Sequence, residues 1–191
     1  MLKRILLLGP MTFALLFILP SPAHADSINY FAVLTGANEV PPTGSPGIGV
    51  ANFTLSGDML SINVSFAGLT APAIAAHIHC CGPVGVNEIV AVPFTPFPNA
   101  TFGSFSNTVD LTLASTYNAA FITQEGGTVA DAEAGLIAGL NSGNTYTNIH
   151  TTPFPGGEIR GQILTPEPTS LLLLGTGMIG AVQLLRKRVR A

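Results

Sequence analysis

Between residues 29 and 164 the chain alternates apolar and polar positions in short runs broken by glycine and proline, which is the period of half-buried β-strands. The runs predict strands over Asn29–Thr35, Gly49–Leu55, Met59–Phe66, Ala75–Cys80, Ile89–Val92, Asn107–Leu113, Thr145–Thr151 and Glu158–Leu164. Gly57-Asp58 reads as the turn of a hairpin joining the second and third. Pro93-Phe94-Thr95-Pro96-Phe97-Pro98 lacks the N–H groups for a regular ladder and reads as a loop. Between Ser115 and Gly139 the period turns helical, with Ser115 as the expected cap of one short helix and Val129–Leu140 as a second. These elements predict an all-β fold, an antiparallel β-sandwich with one or two short inserted helices.

Both ends depart from this pattern. Lys3 and Arg4, the apolar run Ile5 to Leu19 and Ala23-His24-Ala25 have the three zones of a signal peptide, with cleavage expected after Ala25. The alternative is an N-terminal membrane anchor. At the other end Pro166-Glu167-Pro168 precedes a nearly uncharged stretch and then Arg186, Lys187, Arg188 and Arg190. As a transmembrane helix, Ser170 to Leu185 would span about 24 Å, slightly less than a bilayer core of ~30 Å. Basic residues beyond a span favour the cytoplasm, so the body would lie outside. The expected organisation is a signal peptide at 1–25, one domain at 26–165 and a tail at 166–191.

The split changes the reading of charge. The whole chain has a formal net charge of −3, but Arg160 is the one basic residue between 26 and 165, against nine acids. Such a body offers no lysine/arginine footprint for nucleic acid, nor for an anionic membrane face. Cys80 and Cys81 are adjacent, and the ~3.8 Å between neighbouring Cα atoms is short for a disulfide. Free thiols, pairing between molecules, a vicinal disulfide and metal ligation are the alternatives.

The tail, a Pro-Glu-Pro motif, a short apolar helix and a terminal arginine cluster, resembles the PEP-CTERM sorting signal of Gram-negative bacteria. The resemblance implies export, signal peptidase and an exosortase-type enzyme as processing partners, a membrane-anchored intermediate, and release to the cell surface or extracellular matrix. The alternative is a plain tail anchor. The body carries, in order, Leu34-Thr35-Gly36-Ala37-Asn38-Glu39-Val40-Pro41-Pro42, Gly49-Val50-Ala51, Ala76-His77-Ile78-His79, Asn148-Ile149-His150-Thr151 and Gly156-Gly157-Glu158-Ile159-Arg160-Gly161-Gln162. This set resembles the CHRD (chordin-like) domain, departing from it at Cys80-Cys81. The resemblance implies an extracellular β-sandwich module and brings no settled enzymatic activity.

Candidate chemistry is confined to a few residues. His77 and His79 fall on one face of a strand about 6.6–6.8 Å apart, a spacing at which two imidazoles can share a metal, and His150 is the third candidate. Zinc or copper suits such ligands. The alternative is a hydrogen-bonded network inside the fold. Arg160 is expected to pair with a carboxylate, Glu158 or Glu39, as a structural ion pair. No nucleophile elbow, zinc-protease helix or phosphate loop is present, so the reading leans away from an enzyme. The function expected is a surface or matrix module acting through binding or assembly, with extracellular polysaccharide or surface proteins as partners. The alternative is a His-ligated copper or zinc metalloprotein, with redox activity among its roles.

Overall fold

The computed structural model describes residues 27–166, so the expected signal peptide with Ala23 and Ala25, and the tail from Glu167 and Pro168 onward, lie outside the described residues. Among the described residues no helix is long and apolar enough to cross a membrane. The described residues form eight strands: β1 (Ile28–Thr35), β2 (Ile48–Ser56), β3 (Met59–Ala67), β4 (Ala73–Cys80), β5 (Val90–Pro93), β6 (Gly103–Asp110), β7 (Thr145–Thr151) and β8 (Ile159–Gln162). Two helices, α1 (Ala119–Glu125) and α2 (Val129–Ser142), are inserted between β6 and β7.

The all-β expectation holds, and the sandwich is built from one sheet. Its strands run β5-β4-β7-β8-β1-β2-β3-β6, each neighbour antiparallel. The sheet curls until its two ends meet: Phe94, just past β5, stacks on Phe105 of β6 with ring centroids 5.2 Å apart. The Pro/Phe loop therefore supplies core rings, Phe97 also lying 5.3 Å from Phe66.

Strict alternation in β1, β2 and β3 puts Tyr30, Ala32, Leu34, Phe53, Leu60, Ile62 and Val64 inside, each almost wholly buried. Gly57, at the first position of the two-residue loop after β2, has φ +57°, as a type II′ hairpin needs there. Helix α2 starts at Thr128, whose side chain accepts from the Asp131 N–H, and stops at Gly143 in the left-handed conformation. Its Ala132, Leu136 and Leu140 complete the core.

Three expectations need correction. The sixth strand covers Gly103–Asp110 rather than Asn107–Leu113, because pairing with β3 runs from Phe66↔Gly103 to Met59↔Asp110 and sets its limits. Ser115 lies in a 3₁₀ turn, and the cap of α1 is Asn118, which accepts from Ala120 N–H. Cys80 and Cys81 are bonded to each other across a cis peptide, with Cα atoms 3.1 Å apart, so the trans spacing assumed from the sequence does not apply.

Candidate metal centre

Strands β4, β7 and β8 lie side by side with His77 opposite Asn148, His79 opposite Tyr146, Ala75 opposite His150, and Arg160 opposite Asn148. Directly paired residues share a face, so His77, His79, Tyr146, Asn148, His150 and Arg160 form one polar patch, while Ala76, Ile78 and Ile149 point the other way into the core. Alternation on a strand ordinarily gives the polar face to water. Here β7 is buried at every position, because chain segments around Glu39, Asn87-Glu88 and Pro155 hydrogen-bond or pack onto that face.

The three histidines predicted as metal ligands converge. One ring nitrogen from each of His77, His79 and His150 lies within 4.8 Å of the others. His77 Nδ1 is 3.2 Å from His150 Nε2, close to the ~3.3 Å edge that a tetrahedral site with ~2.0–2.1 Å bonds to nitrogen would have. The far sides of two rings are fixed: His79 Nδ1 faces the Glu88 carbonyl at 2.7 Å and His150 Nδ1 faces the Pro155 carbonyl at 2.9 Å. Backbone carbonyls holding the second nitrogen are the usual outer-shell partners of ligating imidazoles. His79 is further held flat against Tyr146, the rings 4.6 Å apart and within 3° of parallel.

Electrostatics keep these rings neutral. Burial pushes the His77 pKa down to about 4, helped by the neighbouring His150 and His79. Burial likewise takes His79 to about 4, with the charges of His150 and Arg160 acting in the same direction against its hydrogen bonds to Glu88 and Asn148. His150 is lowered chiefly by burial, against the Pro155 carbonyl. Glu39 moves oppositely: burial raises it to about 7 despite the attraction of Arg160 and the nearby N–H groups of Asn148 and Val40.

These shifts give the metal-free protein a defined pH response. Each histidine resists protonation when folded but takes a proton near pH 6.5 when unfolded, so its contribution is intact above pH 6.5 and is lost as pH falls below that, for His77 and His79 down to about 4. Glu39 contributes the other way, adding stability as pH falls from 7 toward 4.5. Three groups outweigh one. The melting temperature of chelator-treated protein should fall between pH 6.5 and 4.5, and a rise across that interval would contradict the buried neutral histidines.

The expected ion pair forms differently. Arg160, 2 % exposed, donates to Asn87 Oδ1 at 3.0 Å and to the Val86 carbonyl at 2.9 Å, and its guanidinium lies 3.3 Å from the centre of the Tyr146 ring. Glu39 attracts Arg160 only through its field. Glu158 is turned elsewhere, accepting from Ser45 Oγ (2.5 Å), Thr70 N (2.7 Å), Thr70 Oγ1 (2.9 Å) and Thr151 Oγ1 (2.5 Å). It lies just before β8, where the strand alternation that puts residues 158 and 160 on one face has not yet begun. Burial raises the Glu158 pKa, yet these four bonds together leave it below the usual carboxylate value.

The sequence reading missed Asn148, Tyr146 and Asn87 as site residues. Tyr146, Asn148 and His150 do recur at every second position of one strand, which was the available signal. Asn87 had none, since only loop packing brings it to Arg160.

The three histidines thus converge on the loop-covered face of a single curled antiparallel sheet. The chain belongs to the CHRD domain family, whose model matches residues 30–163. A PEP-CTERM protein-sorting motif matches residues 164–188. The protein is therefore exported, processed by an exosortase-type enzyme, and destined for the cell surface or the extracellular space. No curated protein and no solved structure matches the chain.

Proposed function

We propose that the CHRD domain is an exported metal-binding module that holds one zinc or copper(II) ion through His77, His79 and His150 and is displayed at the cell surface or in the extracellular matrix. The observation that carries the reading is the convergence of three neutral ring nitrogens within 4.8 Å, two of them on rings oriented by backbone carbonyls. Neutral imidazole is the form that ligates a metal, and a pKa near 4 keeps it available throughout the neutral range. Imidazole nitrogen suits zinc and copper better than magnesium or calcium.

The module acts by binding. Tyr146, Asn148 and Arg160 lie on the same face as the cluster.

Full chain purified in detergent, stripped with chelator and equilibrated with zinc or copper(II), should carry one ion per molecule by elemental analysis. Combining His79→Ala with His150→Ala should abolish this, whereas His24→Ala, in the leader, should leave it intact. Free metal at 100 times Kd should stabilise the wild type by about 2.7 kcal/mol. A wild-type chain that takes up neither ion sinks the proposal.

A further inference from the structure

We infer that the Asn148 side-chain oxygen is the fourth ligand of this centre and that Glu39 is the positioning residue that turns it inward, an inference that rests on the tri-histidine reading above. A carbonyl can only accept a hydrogen bond, so the Nδ1 atoms of His79 and His150, facing Glu88 and Pro155, carry the ring protons. Each Nε2 then presents a lone pair. Both point at Asn148 Oδ1, from 3.0 Å and 2.9 Å.

Three lone-pair atoms facing one another repel unless a cation lies between them or the amide turns over to present its N–H₂. The other end of the amide favours the cation. Asn148 Nδ2 lies beside the Glu39 carboxylate, the two flanking Gly157, and both groups are buried, at 1 % and 4 % exposure. Glu39 Oε1 meets no partner at full hydrogen-bond geometry. With the amide turned over, its oxygen would face that carboxylate instead of its N–H₂.

Gly157 makes the close approach of these groups workable. It has φ +130°, and a Cβ there would meet both the Glu39 carboxylate and Asn148 Nδ2 well inside contact distance.

The chemistry follows from this arrangement. An Asn148 N–H directed at a carboxylate polarises the amide and makes its oxygen a better donor to a cation, the role that outer-shell carboxylates play at metal sites. Three imidazole nitrogens and one amide oxygen then close a four-coordinate site, whereas a catalytic zinc keeps a position open. The centre therefore holds a borderline divalent ion without presenting it to substrate.

Cobalt(II) is the probe, because its visible bands report ligand identity and geometry. The full chain in detergent should bind one cobalt(II) with the bands of a tetrahedral site. Asn148→Leu should shift the bands and weaken binding, and Glu39→Met should do the same, by about 10–100-fold in affinity. Glu39→Gln, which keeps a carbonyl to accept the Asn148 N–H, should restore most of the wild-type spectrum. Combining Glu39→Met with Asn148→Asp should also restore tetrahedral bands, because a carboxylate presents oxygen whichever way it turns.

Unchanged bands and affinity in Asn148→Leu, with wild type binding cobalt, would overturn the inference and leave the tri-histidine site standing. A wild type that binds no cobalt overturns both. If Asn148→Leu does not fold, Asn148→Asp alone decides: an anionic ligand moves the bands, and a residue outside the coordination sphere leaves them where they were.

Discussion

Glu158→Ala is expected to be the most damaging single substitution in the domain, lowering the unfolding free energy by about 3–5 kcal/mol. The carboxylate is fully buried and gathers Ser45, Thr70 and Thr151, one residue from each of three separate parts of the chain. Alanine leaves one N–H and three hydroxyls without their acceptor, each costing about 1–3 kcal/mol unless water enters. The melting temperature should fall by roughly 10–20 °C for a domain of this size. Glu158→Gln, which keeps one oxygen to accept from Thr70 N–H, should lose visibly less. Thermal melts of the two variants beside wild type are the check, and equal small losses would show that the carboxylate is not the tie between these segments.

Arg160→Ala should follow at about 3–4 kcal/mol. A desolvated cation over an aromatic face contributes about 2 kcal/mol or more, and hydrogen bonds from a charged donor about 1.5–3 kcal/mol. Alanine removes both, and opens space between Tyr146 and the segment holding Val86 and Asn87. Lysine should recover less than half of the loss. A single ammonium cannot lie flat on Tyr146 while donating to Asn87 and Val86 from a planar fork. Denaturant titration of both variants measures this, and full recovery by lysine would mean that charge alone matters.

Much of the candidate site was legible in the strand period. Two residues apart on β4, His77 and His79 had to share a face, and the pattern predicted the limits of β7 correctly at both ends. The same rule went wrong with Arg160 and Glu158. It places residues two apart on one face only within a strand, and β8 begins at Ile159. It also could not show that the polar face of β7 is covered, because the covering loops have no period and reach the site from residues 39, 87 and 155. Ser115 and Asn118 are both acceptable caps by residue type, and the choice fell to Asn118, whose own N–H bonds to the Ala91 carbonyl of β5 at the start of α1.

By itself the sequence determined that the protein carries an exported, acidic, all-β domain with three histidines on its strands, since composition, motifs and periodicity are local properties of the chain. Only the tertiary structure decided that one sheet curls to meet itself, that its polar face is buried, and that His77, His79 and His150 come within 4.8 Å. The physical reason is strand order. β4 and β7, with residues 81–144 between them, become neighbours through hydrogen bonds that any sequence can make, and which strands pair is settled by how the whole core packs.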